Sequence, residues 1–414
     1  MHEEKLMVIG DDVTGANDTG VMFADGGFST IFHTSVDSLN NADMSSAQIF
    51  AVSTGCRALY DQATSKTASA VQAAIEHGVN RIYLKIDSTM RGSVAQQIDG
   101  ALKEWSKLHA DAKVVVCPAY PVMGRTIEKG HLYVNGVPVC DTPSGQDRIC
   151  PVSSSDMCTL IPGAVSVPSS DAAKLKEAIL NSQAKVIVPD ASSEEDLGRI
   201  AEAIQAIGPQ IIPTGSAGLA SKIKLAKVSQ AQCTAQRKLG KALILLSTIH
   251  STSEKQLDYF LSSKHGANTT VFIPANVQIT GDESYQEHLR NQLKALLSCN
   301  CDFFVIKSNP TGIDRPKEEM TQLSQSIAKN LAALTLYALN TSDFDSVIIF
   351  GGDGASAFLE QAGITELRLN CSVMPGVPMS TAVNGQYKGL QLITKSGGFG
   401  KEDLFDGILS HLSN

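Results

Sequence analysis

Short apolar runs that end abruptly in polar or glycine-rich clusters recur along this chain, and they restrict its fold more than any other feature. KLMVIG runs into DDVTGAND, RIYLKI into DSTMRGS, KVVVCPA into YPVMGR, KVIVP into DASSEEDL and QIIPT into GSAGLA. Further on, ALILLS leads into TIHSTSEKQ, DSVIIF into GGDGASAFL and LQLIT into KSGGFGKEDLF. Unbroken Val/Ile/Leu runs of this length read as strands buried on both faces. The segments between them carry helical spacing, as in a helix from about Gly15 to Ala24, SKTASAVQAAIEHG (65–78) and SDAAKLKEAILNSQA (170–184), the last two opening on Ser. Strand, loop and helix in repetition predict an α/β fold of mostly parallel sheets flanked by helices. Ligands of such sheets gather beyond the carboxyl ends of the strands, where the polar clusters lie.

At 414 residues the chain is long for one core and fits two domains. Residues 221–241 are basic, polar and poor in aromatics, and the strand ALILLS follows at once. The junction is therefore expected near residue 235, giving domains 1–235 and 236–414 with the active site in the cleft between them. Residues 124–160 carry Gly, Pro and short alternation, the pattern of a hairpin-bearing excursion.

The formal charge of −8 argues against a general nucleic-acid binder. Nine Cys show no C-x-x-C pair, which fits reduced thiols in a reducing compartment rather than a zinc grid. No apolar run approaches the ~20 residues needed to cross a bilayer, and the N-terminus lacks the pattern of a signal peptide. A cytoplasmic location is the expectation.

Two clusters could perform chemistry. In the N-terminal half, Asp11 and Asp12 stand side by side at a strand end. A helix cap explains one of these carboxylates but not both. Ser53-Thr54-Gly55-Cys56-Arg57 follows a second strand. Lys85-Ile86-Asp87-Ser88-Thr89-Met90-Arg91-Gly92-Ser93 follows a third, and Arg125 lies beyond a fourth. Guanidinium forks grip carboxylates, and carboxylates accept hydrogen bonds or a proton from hydroxyls, so the set suits a small polyhydroxylated acid. Structural ion pairing at the loop bases is the competing explanation for Arg57, Asp87 and Arg91 taken singly. In the C-terminal half, Gly351-Gly352-Asp353-Gly354 and Lys395-Ser396-Gly397-Gly398-Phe399-Gly400 each follow a strand and precede a helix. Glycines there let backbone N–H groups approach phosphates, although no Walker A pattern occurs. The weak match of Gly352–Ala357 to G-x-G-x-x-A lacks the acidic residue expected about twenty positions on, which disfavours a nicotinamide oxidoreductase. Ser221-x-x-Lys224 and Lys395-Ser396-Gly397 imitate a penicillin-interacting enzyme without the intervening S-D-N, and no H-E-x-x-H supports a metalloprotease. A non-catalytic acid-sugar sensor would require both glycine loops to be relics.

The ordered set GDDVTGANDTG, KIDSTMRGS, PAYPVMGRTI…GHLYVNGVPV, GSAGLA, GGDGASAFLEQAGI, MPGVPM and TKSGGFGKED resembles the four-carbon acid sugar kinase family, from about residue 5 to about residue 405. The resemblance implies ATP-dependent phosphorylation of threonate, erythronate or 3-oxo-tetronate, with the acid sugar on the N-terminal domain and the nucleotide on the C-terminal one. The paired aspartates and KIDST look most like the D-threonate branch. Carried across by motif, Asp11, Asp12, Arg57, Asp87, Ser88, Thr89, Met90 and Arg91 would contact the sugar acid. Asp12, Asp87 and Arg91 would be catalytic, with Asp12 or Asp87 orienting the attacking hydroxyl and Arg57 or Arg91 holding the carboxylate. Thr248, Ser251, Gly351, Gly352, Asp353, Gly354, Lys395, Gly397 and Gly398 would contact ATP, and Asp353 would meet Mg²⁺. One departure stands out: the family's Gly-Ser ahead of a Thr-x-x-Gln helix start is replaced by Ser247-Thr248-Ile249-His250, without glycine. The expected partners are a small sugar acid and ATP, with a homodimer as the candidate assembly and neither nucleic acid nor membrane.

Overall fold

In a computed structural model that describes residues 4–169, 171–226, 240–248, 250–275, 279–299, 301–309 and 317–413, the chain divides into two compact units, 1–231 and 232–414. The junction expected near residue 235 lies outside the described residues. Each unit is an α/β sandwich, and no described helix is long and apolar enough to cross a membrane.

The first unit holds β1 (Leu6–Gly10), β2 (Thr30–His33), β3 (Ile49–Ser53), β4 (Arg81–Lys85), β5 (Lys113–Cys117), β6 (Arg125–Glu128), β7 (His131–Val134), β8 (Val137–Pro138), β9 (Ala164–Val167), β10 (Val186–Pro189) and β11 (Ile211–Gly215). Its helices are α1 (Val13–Asp25), α2 (Tyr60–Glu76), α3 (Val94–Trp105), α4 (Met157–Leu160), α5 (Ala172–Asn181), α6 (Glu194–Ile207) and α7 (Ala217–Ala220). The main sheet runs β2-β3-β1-β4-β11-β5-β10-β9, and its pairings are parallel. β1 and β3 are wholly buried, as their unbroken apolar runs require. From β1 the chain crosses to β2 and β3 on one side and then to β4 on the other, which makes the β1/β4 edge a switch point. The excursion is a separate three-stranded antiparallel sheet, β6-β7-β8. Its two-residue turns, Lys129-Gly130 and Asn135-Gly136, have positive φ at both positions, the type I′ geometry that tight hairpins select.

The second unit holds β12 (Ala242–Leu246), β13 (Thr269–Phe272), β14 (Phe303–Lys307), β15 (Ser346–Phe350), β16 (Glu366–Met374), β17 (Val377–Ala382) and β18 (Gln391–Lys395). Its helices are α8 (Ser251–Ser262), α9 (Glu283–Leu297), α10 (Lys317–Thr341), α11 (Gly352–Gln361) and α12 (Leu404–Ser413). The order is β13-β14-β12-β15-β18-β17-β16, parallel through β18, with β17 antiparallel to both neighbours. Here the switch point is the β12/β15 edge. Phe260, Phe350 and Phe405 stack in the core, Phe405 lying 4.5 Å from Phe260 and 5.0 Å from Phe350.

Helix starts differ from the sequence reading. α2 begins at Tyr60, five residues ahead of Ser65, and Leu59 supplies no side-chain cap. Residues 60–62 are exposed, so no apolar stripe marks that first turn. α2 and α3 approach closely at Gly100, where a Cβ would overlap the Thr64 carbonyl oxygen. Gly100→Ala should therefore cost about 1–3 kcal/mol by forcing the helices apart, read as a lower urea midpoint with unchanged slope.

Candidate active site

Register places the first unit's chemistry. Gly10, Ser53 and Lys85, the last residues of β1, β3 and β4, are paired across the sheet, so the loops that follow emerge side by side. Arg57 lies at their meeting point. Its Nε and Nη2 donate to the two carboxylate oxygens of Asp11, each at 2.7 Å. Its Nη1 lies 2.7 Å from Asp12 Oδ2 and 3.7 Å from Asp87 Oδ2. The opening pair of aspartates is thus tolerated because one guanidinium serves both. Asp11 is 1% exposed and fully engaged by Arg57.

Asp12 also caps α1. Its Oδ1 accepts from Gly15 N–H at 2.7 Å, and its Oδ2 accepts from Thr14 Oγ1 at 3.0 Å. Burial by itself raises the Asp12 carboxyl, but Arg57, Lys85 and the Gly15 N–H outweigh it and hold the group below the usual carboxylate range. Asp87 is likewise raised by burial and then pulled well below that range by Arg91 and Arg57. Arg91 Nη2 lies 2.6 Å from Asp87, and its Nη1 reaches Asp147 at 3.4 Å. Thr89 donates to Asp87 from both its N–H and its hydroxyl. Met90 takes φ 64, an uncommon conformation outside glycine, and closes the turn with its N–H on the Asp87 carbonyl. Ser88, Thr89 and Met90 are buried within this turn.

Two expectations change here. Arg57 was a candidate for gripping a substrate carboxylate, but its guanidinium is already occupied by Asp11 and Asp12. Arg91 is also engaged, its Nε and Nη2 donating to the two oxygens of Asp87 at 3.2 and 2.6 Å, and its Nη1, 3.4 Å from Asp147, is the loosest donor of the two guanidiniums. As for proton acceptance, the donors around Asp12 and Asp87 favour both carboxylates as anions, Asp87 the more so, which lowers their basicity. Sequence reading missed Asp147, which lies far along the chain and reaches Arg91 only through the excursion. Lys85, a side chain of β4 that is 5% exposed, places its ammonium where a Cβ on Gly15 would fall, 2.8 Å away.

The second unit repeats the device. Leu246, Phe350 and Lys395 are in register at the ends of β12, β15 and β18. Gly351 has φ 112 and opens α11, and its N–H donates to the Lys395 carbonyl. The loop that lost its glycine packs between the two glycine loops. A Cβ on Gly351 would lie 2.7 Å from Ser247 Oγ, and one on Gly397 would lie 2.5 Å from Thr248 Oγ1. A Cβ on Gly354 would also collide with Ser247. Glycines at 351, 354 and 397 therefore make room for Ser247 and Thr248, while a Cβ on Gly398 would lie 3.1 Å from Nε2 of the His250 ring. His250 caps α8 by accepting from Thr252 N–H at 3.2 Å, and Ser251 is the exposed first residue of that helix. Ile249 lies outside the described residues.

Lys395 lies buried beneath the second glycine loop. It is 1% exposed, and its ammonium bonds Ser253 Oγ at 3.0 Å, Gln256 Oε1 at 2.7 Å and the Gly397 carbonyl at 3.1 Å, over the Phe350 ring. It braces the glycine loop from beneath. Burial pushes its pKa down to about 7. Ser253 and Gln256, its holders, stand at the helix start where the resemblance expects Thr-x-x-Gln. Asp353 is exposed in the first turn of α11 and accepts from Ser324 Oγ at 3.2 Å. Among the described residues no three metal-ligating side chains converge. A Mg²⁺ ion held chiefly by phosphates needs only one or two protein carboxylates, and Asp353 would suit that part.

Two outcomes follow from these geometries. Above about pH 7 and up to the ordinary lysine value of 10.5, the unfolded chain holds a proton at residue 395 that the folded chain lacks. This group therefore makes stability rise with pH across that window, and Lys395→Met should flatten the rise in unfolding free energy between pH 6 and pH 9. Asp11→Ala leaves Arg57 short of its buried partner and should cost about 3–5 kcal/mol in chemical denaturation.

Comparison with known proteins agrees with this division of labour. Residues 6–223 match the sugar-binding N-terminal domain, and residues 243–405 match the nucleotide-binding C-terminal domain. The chain is 31% identical to a D-threonate kinase of Bordetella bronchiseptica, covering 96% of this chain and 95% of that one. It is 28% identical to a D-threonate kinase of Salmonella typhimurium, covering 99% and 98%. A crystal structure of a Haemophilus influenzae protein superposes with a TM-score of 0.70 at 25% identity, covering 98% of this chain and 99% of that one. With a sugar-binding half and a nucleotide-binding half matched over nearly its whole length, the chain belongs to the four-carbon acid sugar kinase family.

Proposed function

We propose that this protein transfers the γ-phosphoryl group of ATP to the terminal 4-hydroxyl of a four-carbon sugar acid, D-threonate being the first choice. The observation that carries this reading is the pairing of strand-end clusters, acidic and guanidinium-rich in the sugar-binding unit and glycine-rich in the nucleotide-binding unit. The choice of D-threonate rests on the two relatives of that name at 31% and 28% identity. D-Erythronate and 3-oxo-tetronate are the alternatives, being the substrates in the names of relatives at 23% and 26%.

Phosphoryl transfer needs in-line positioning and charge neutralisation more than covalent chemistry. Arg91 receives the substrate carboxylate, exchanging its long contact to Asp147 for a charge-assisted pair. Asp12, anchored by Gly15 and Arg57, accepts a hydrogen bond from a substrate hydroxyl and orients it. Asp87 fixes Arg91 and the Ser88–Met90 turn. Backbone amides at Gly351–Gly354 and Gly397-Gly398, with the Thr248 and Ser251 hydroxyls, bind the nucleotide phosphates. Lys395 holds the second glycine loop in place. Asp353 would hold Mg²⁺ together with the nucleotide phosphates, and the ion would supply neutralisation of the developing phosphate charge.

An ADP-release assay across D- and L-threonate, D- and L-erythronate and 3-oxo-tetronate tests the reading, with the highest kcat/KM expected on D-threonate. Turnover on none of these acids would refute it. Asp12→Asn should keep the thermal midpoint within a few degrees and lower kcat at least about 100-fold. We also propose a homodimer, since a Bordetella bronchiseptica relative crystallised as a domain-swapped dimer, and light scattering on the purified chain should give twice the 43.9 kDa chain mass.

A further inference from the structure

The site as described has no competent base. Asp11 is consumed by Arg57, and Asp12 and Asp87 are held as stable anions by their donors. One more carboxylate lies further along α1. Asp12, Gly15 and Asp18 follow at intervals of three along the start of α1, and all three are half-buried while Val13, Thr14, Ala16 and Asn17 between them are buried. Lys85 reaches this stripe at Gly15. Asp18 Oδ1 is buried and makes no hydrogen bond, unlike either oxygen of Asp12. A shielded carboxylate oxygen without a donor, about one turn beyond the Gly15 on which Asp12 is anchored, calls for an O–H group from a ligand.

We propose that Asp18 is the general base of the sugar-acid kinase reaction, its unpartnered oxygen receiving the proton of the hydroxyl that attacks ATP. The inference rests on the function proposed above. As the new O–P bond forms at the γ-phosphorus, the 4-hydroxyl proton passes to Asp18. The bond from the γ-phosphorus to the β–γ bridging oxygen breaks, and ADP leaves with that electron pair. The charged and titratable groups around Asp18 fit the task. Burial pushes its carboxyl up to about 6; the Lys85 ammonium from β4 opposes that rise, and Asp12 and Asp25 on its own helix add to it. From the loop after β5, Tyr120 faces the same region, its hydroxyl pushed up by burial and then by Asp18, Glu194 and Asp25. A carboxyl that titrates just below neutrality is ionised at working pH and still basic enough to take a proton.

The test is the pH profile of kcat/KM for the intact wild-type chain, on whichever four-carbon acid it turns over, beside Asp18→Asn. The wild type should lose activity below a limb near pH 6. Asp18→Asn should lower kcat by about 10²–10⁴-fold, leave the KM for ATP within about twofold and abolish the limb, with Asp18→Glu recovering part of both. A wild-type profile flat through pH 6, or Asp18→Asn with kcat within threefold of wild type, would overturn the assignment. If Asp18→Asn does not fold, the wild-type profile and Asp18→Glu decide alone. If the wild type phosphorylates none of the acids, the proposed function fails and this assignment goes with it.

Discussion

One guanidinium holds the sugar-binding unit's chemistry together. Arg57 comes from the loop after β3, yet it neutralises Asp11 and Asp12 after β1 and approaches Asp87 after β4. Buried like charges are tolerated only where a counter-charge and hydrogen bonds satisfy them. Without Arg57 the two adjacent carboxylates at the end of β1 could not both remain ionised out of water. The loops around them are tied by the same economy of contacts: Thr54 bonds the Gly10 carbonyl, and Ser93 bonds the Arg57 carbonyl at the entry to α3. The ion cluster is therefore both the fastener of three loops and the scaffold on which Asp12 and Arg91 are aimed.

The nucleotide-binding unit solves a different problem with backbone rather than charge. Its glycines supply close approach, and some of that space is used internally. Ser247 and Thr248 pack against Gly351, Gly354 and Gly397, so three loops share a single packing arrangement. Lys395 completes it from below. A buried ammonium held only by neutral oxygens is costly, and its lowered pKa reflects that cost. An anion bound above the loop would repay part of it.

Much of this was legible in the residues. The apolar runs located the buried strands because parallel strands covered on both faces admit little else, and the hairpin excursion followed from the Gly, Pro and short alternation of residues 124–160. The clusters at strand ends were visible because polar and glycine residues interrupt those runs sharply. The start of α2 was not, since exposed residues there carry no periodicity. Asp147 and Asp18 were passed over because an aspartate in an excursion or on a helix face looks like ordinary surface until its surroundings are known.

Local order along the chain determined that Asp11 and Asp12 end a strand, that Asp12 caps a helix and that glycines open the loops after β15 and β18. Those features depend on neighbours within a few residues, so the sequence contains them outright. Which charge meets which carboxylate was decided only by the register of β1, β3 and β4, which carries Arg57 across 46 positions to Asp11. Burial decided the rest: the same lysine or aspartate is a solvated surface group or a shifted, functional one according to how much water the tertiary packing leaves beside it.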